Sequence, residues 1–103
     1  MIFPGVGHAY LVDFGTWRVQ LYFPSISELV YSPIDSAGQV GPGQSVFIEI
    51  DQVRQDIFIV RWLEADSTVV IHIEDFSTMK IYSNIVNPDL SISVFVGVFV
   101  QAP

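Results

Sequence analysis

The sequence predicts an all-β fold, a single small antiparallel barrel of about eight strands. Three observations carry that prediction. Of 103 residues, 27 are Val or Ile and only 9 are Leu or Ala. β-Branched side chains suit a pleated surface and lose rotamer freedom in a helix. Turn residues cut the chain into short runs spaced about ten residues apart, as in an antiparallel meander. No segment sustains the apolar period of a helix.

Each run ends for a reason. His8–Phe14 stops at Gly15, and Trp17–Phe23 at Pro24-Ser25. Glu28–Tyr31 stops at Ser32-Pro33, before the glycine-rich loop Ser36–Gly43. Ser45–Val53 reads as one strand. Ile57–Leu63 ends at the Ala65-Asp66-Ser67 turn, and Thr68–Phe76 follows it. Met79–Ile85 ends at Asn87-Pro88-Asp89, and Ser91–Val100 is the last run. Connections this short exclude the crossovers that parallel strands require. One domain spanning 1–103 is expected, since the length suits a single core.

Alternation assigns the faces. Val46, Ile48 and Ile50 share one face. Ile57, Ile59, Arg61 and Leu63 oppose Phe58, Val60, Trp62 and Glu64. Val69, Ile71 and Ile73 oppose Val70, His72 and Glu74. Ile92, Val94, Val96, Val98 and Val100 oppose Phe95, Gly97 and Phe99. Several strands thus pair an apolar face with a mixed aromatic and polar one. A closed barrel accommodates both, with one face filling or lining a small interior. The last strand is apolar on both faces and needs cover on both, so a homodimer is expected.

Charge and cysteine content exclude several functions. Four Lys and Arg stand against eleven Asp and Glu, a formal charge of −7. Arg18, Arg54, Arg61 and Lys80 are scattered singly, without the basic clusters that bind nucleic acid or anionic membranes. The chain has no cysteine, hence no disulfide and no thiolate site. That absence, and an N-terminal stretch without a basic region and long apolar run, lead to the expectation of a cytoplasmic protein. His8 and His72 are the only imidazoles, without HxH or HExxH spacing, so no metal and no cofactor is expected. Phosphate-loop and GxSxG signatures are also missing.

The candidate site residues are few. Glu64, beside Trp62, either acts as a general acid at the barrel mouth or simply opens a hairpin turn in solvent. His72 and Glu74 lie on one face as an acid–base pair or as part of a polar stripe. Phe14, Tyr22, Trp62 and Tyr82 are candidate walls for a planar ligand, and aromatics of this kind also build small β cores.

The stretch IFIVRWLEADSTVVIHIEDF (Ile57–Phe76), followed by Ile81-Tyr82-Ser83-Asn84-Ile85, resembles the small calycin or lipocalin-type barrels. Among them it looks most like the MoaF-like group, related to the molybdenum-cofactor-biosynthesis protein F. The shared pattern is Trp62-x-Glu64, Val70-x-His72-x-x-Asp75-Phe76, Tyr82-x-Asn84 and a terminal strand with Gly97. It is more distantly similar to the phenolic acid decarboxylases. That resemblance implies a proton-donor role for Glu64. The family's two substrate-holding tyrosines fall at Val12 and Phe14, and its arginine has no counterpart in Gly41-Pro42-Gly43-Gln44. The functional expectation is a module that binds one small, mainly apolar or aromatic ligand in the barrel through Phe14, Tyr22, Trp62, Glu64, His72 and Tyr82. The alternatives are a lyase or isomerase using Glu64, with His72 as a second catalytic candidate, and a filled-barrel structural or interaction protein.

Overall fold

The computed structural model describes residues 1–103 and contains nine strands and no helix. They are β1 (Ala9–Asp13), β2 (Arg18–Ser25), β3 (Glu28–Ile34), β4 (Gln44–Phe47), β5 (Glu49–Arg54), β6 (Ile57–Leu63), β7 (Val69–Asp75), β8 (Lys80–Val86) and β9 (Ile92–Gln101). They form one antiparallel sheet in the order β4-β3-β2-β1-β9-β8-β7-β6-β5. The sheet curls into a nearly closed barrel, with β4 approaching β6 across the seam.

The ninth strand corrects the expectation of about eight. The run Ser45–Val53 changes partner at Ile48: β4 pairs only with β3, and β5 only with β6. Ile48 is buried, and its amide donates to the Ser27 carbonyl at 2.9 Å. Val46, Ile48 and Ile50 all pack towards the core, so the alternation runs unbroken through the switch. The chain itself closes the seam where the hydrogen-bond ladder does not.

Three hairpin turns share one device. Asp66, Asp75 and Asp89 each accept the amide of the residue two positions on, at 2.9–3.0 Å. These are Asx turns, which replace ladder bonds with local ones. The hydroxyls of Thr68, Ser77 and Ser91, joined by these amides, hold all three carboxyls below the usual aspartate range.

The mixed faces turn inward. Phe58, Val60 and Trp62 of β6, and Val70, His72 and Glu74 of β7, are buried. So are Ile81 and Ser83 of β8. The aliphatic faces turn outward, and Val94, Val96, Val98 and Val100 are all more than half exposed. Gly97 permits this arrangement. A Cβ there would lie 2.5 Å from the Asp13 carbonyl oxygen and 2.7 Å from the Phe14 ring.

Candidate functional site

Strand register builds the interior in rows. Phe58, Glu74, Ile81 and Gly97 make one row across β6–β9. Val60, His72, Ser83 and Phe95 make the next, and Trp62, Val70, Ile85 and Ser93 the third. Below the first row, Phe3, Tyr10, Phe23, Phe58, Phe76 and Phe99 interlock edge to face, with centroids 5.0–6.3 Å apart. Edge-to-face contact is the favoured geometry for aromatic quadrupoles. These rings plug one end of the barrel. Phe3 enters from the N-terminal segment over Gly5, where a Cβ would meet its ring at 2.5 Å.

The upper rows leave a cavity of about 110 Å³. Its aromatic wall is Trp17, Tyr31 and Trp62, and its polar lining is Glu64, His72 and Ser83. Trp62 organises this end. Its ring stacks on Tyr31 at 6.0 Å and 26°, and meets the His72 imidazole edge-on at 4.8 Å. Its Nε1–H donates to Glu64 Oε2 at 3.1 Å. Glu64 opens the turn and also borders the cavity. Its backbone begins the hairpin turn, with its amide donating to the Thr68 carbonyl and its carbonyl accepting from Ser67. Its side chain folds back over Trp62 into the cavity lining.

Polar groups in and just below the cavity are under-satisfied. His72 Nδ1, Glu74 Oε2 and Ser83 Oγ are buried without a hydrogen-bond partner. His72 Nδ1 and Glu74 Oε2 stand 3.5 Å apart, beyond good hydrogen-bond distance, with side chains 5% and 3% exposed. Buried polar atoms are nearly always partnered, so three orphans on neighbouring strands form a distinctive cluster. His72 and Glu74 are the only imidazole–carboxylate pair in contact, and no group of three metal-ligating side chains converges.

Two phenols report the local field. The Tyr31 hydroxyl donates to Gln44 Oε1 at 2.6 Å. Burial, then the nearby Glu64 carboxylate, push its pKa up to about 12. Tyr10 is also raised, first by burial and then by the charge of Glu74.

The structure gathers three of the six expected ligand-binding residues at the cavity: Trp62, Glu64 and His72. Phe14 lies behind the wall, stacked on Trp17 at 4.5 Å and 27°. Tyr22 and Tyr82 are corrections. Each alternates with buried neighbours, Leu21 and Phe23 in one case and Ile81 and Ser83 in the other, so each faces outward. Sequence reasoning missed Tyr31 and Ser83 as site residues. Ser83 pairs directly with His72, and Tyr31 comes from the far side of the barrel. The His72–Ser83 pairing follows once the β7–β8 hairpin register is known.

No helix is long and apolar enough to cross a membrane. The fold is shared with a crystal structure described as "a putative beta-lactamase from Burkholderia vietnamiensis". That chain is 20% identical, with 99% of each chain covered and a TM-score of 0.86. A search of curated proteins finds no significant match. The MoaF-like family model matches residues 6–100, nearly the whole barrel. The sequence resemblance carried by Trp62, Glu64, His72 and Tyr82 thus holds along the chain, and the protein belongs to the MoaF-like family.

Proposed function

We propose that the barrel is a binding module for a small, neutral, single-ring molecule with a hydrogen-bonding head. One observation carries this reading: the cavity combines an aromatic wall with the buried, unpartnered Ser83 Oγ and a buried imidazole. An apolar void has no use for such groups, and leaving each unsatisfied costs about 1–3 kcal/mol. A ligand hydroxyl reaching Ser83 and His72 satisfies them while its ring lies against Trp62 and Tyr31. Volume sets the size class. At about 110 Å³ the cavity falls below the few hundred Å³ of drug-sized sites. Charge sets the head group. Glu64 and Glu74 flank the polar end, which disfavours a ligand carboxylate.

Proton transfer by Glu64 is the second reading, favoured by the hydrogen bond that fixes its carboxyl at the cavity. Against it, Val12 and Phe14 are buried apolar side chains where the decarboxylases hold their substrate. Binding is therefore the better-supported function.

Ligand-observed NMR with phenol, and benzoate as its charged counterpart, tests the proposal. Phenol is expected to bind and to perturb tryptophan fluorescence, with benzoate weaker. Ser83→Ala is expected to weaken phenol by roughly tenfold, the effect of one lost hydrogen bond. A barrel that takes up neither phenol nor comparable neutral rings would be filled by water and side chains, and the proposal would fail.

A further inference from the structure

We infer that the outer face of β6–β9 is the contact surface for a second copy of this chain. This inference does not rest on the interior binding reading.

The face is built by period two. On β9, Ile92, Val94, Val96, Val98 and Val100 all point outward, at 67%, 60%, 56%, 53% and 58% exposure. Across the sheet, Val96 stands in register with Tyr82, Ile73 and Ile59. The next row is Val94, Asn84, Ile71 and Arg61, and the one after it Ile92, Val86, Val69 and Leu63. Folding does not account for this patch, because the opposite faces of the same strands already fill the core. Single exposed aliphatics are ordinary, whereas a contiguous stripe of them marks an interaction surface.

Three features select a second copy as the occupant. The first is charge. The outward side chains of β1 and β6–β9 carry two acids, Asp13 and Asp75, and two cations, Arg61 and Lys80. They cancel, so the whole formal charge of −7 lies elsewhere in the molecule. The acidic excess of the chain therefore lies off this face, and two copies meet here without net charge repulsion. The second is self-complementarity. Five aliphatic residues of similar size at alternate positions present the same surface in either direction, as a two-fold contact requires. Val96 is the middle one, so a two-fold axis between the faces sets Val96 against its equivalent. The third is area. The four strands β6–β9, over the length from Ile92 to Val100, cover about 500 Å² in projection at ~3.4 Å per residue and ~4.8 Å per strand. Side-chain relief brings that towards the roughly 600–1,000 Å² per partner of a standard interface.

Light scattering on the full chain tests this. The expected mass is twice 11.5 kDa, and Val96→Glu, which sets two carboxylates against each other, is expected to return it to the monomer value with an unchanged circular dichroism spectrum. Tyr22→Glu, on the outer surface of β2, is expected to leave the mass doubled. Should Val96→Glu fail to fold, Val96→Cys under mild oxidation decides: a disulfide-linked dimer supports the inference and its absence overturns it. A wild-type monomer up to submillimolar concentration overturns it, as does a dimer that survives Val96→Glu. A monomer that floats with neutral phosphatidylcholine vesicles would also overturn it and assign the face to lipid.

Discussion

The floor of the barrel and the space above it are made by the same strands, yet they obey different rules. Phe58 at one end of β6 joins five other interlocked aromatic side chains, with no polar atom needing a partner beyond the Tyr10 hydroxyl. Two rows up the same strand, Trp62 faces a cavity bordered by Glu64, His72 and Ser83, with two buried polar atoms unpartnered there. Glu74 stands at the boundary, paired in register with Phe58 and 3.5 Å from His72. The floor is optimised for stability by close packing. The upper rows hold polar groups that folding alone does not require. A small barrel can divide its interior in this way because each strand passes through both ends.

The comparison breaks most readily at the floor. Phe58→Ala is expected to cost about 3–5 kcal/mol, the usual loss for a buried phenylalanine. Urea unfolding measures it. A loss below about 1 kcal/mol would mean that the aromatic cluster does not carry the fold.

The two regions were also unequally legible in the sequence. Strand limits from β6 onwards fall within a residue or so of those read from the sequence, because Asp66 and Asp89 mark two of the hairpins. Trp62, Glu64 and His72 were legible because one hairpin supplies all three. Tyr31 and Ser83 depend on register between strands, which composition does not encode. Tyr22 and Tyr82 show how a one-residue change of parity moves a side chain through the sheet. The direction of the faces was not legible either. Alternation groups Ile92 with Val94 and Phe95 with Phe99, but volume decides which group goes in. Rings and Gly97 fit a narrow barrel that the aliphatic stripe would fill poorly. The switch at Ile48 left no trace because Val46, Ile48 and Ile50 keep one phase while the hydrogen-bond partner changes.

A sharper test replaces the polar pair. If the upper interior is not organised for stability, His72→Leu together with Glu74→Leu should be neutral, or stabilising by about 1–4 kcal/mol, as found when a buried charged pair gives way to apolar groups. Phenol binding should fall in the same variant. A double mutant clearly less stable than wild type would make the pair a structural element and erase the contrast with the floor.

The smallest effect is at the rim, where Tyr31 joins the aromatic wall to Gln44 and Glu64. Its folded pKa is about 12, against an ordinary value of 10.0. The folded state therefore holds the phenolic proton more tightly than the unfolded chain does. The associated stability is fully present below pH 10 and drains away as pH rises towards 12. The group is only partly buried, so solvent screening keeps the loss small. Tyr31→Phe removes the titration and should flatten that alkaline decline, while also losing the 2.6 Å hydrogen bond to Gln44. Ultraviolet titration of the phenolate, with melts on both sides of pH 10, measures the two together. If Tyr31 ionises at its ordinary value in the folded protein, it is neither buried at the wall nor faced by the Glu64 carboxylate. The carboxylate would then be turned out to solvent, and the polar end of the cavity would lose one of its three groups.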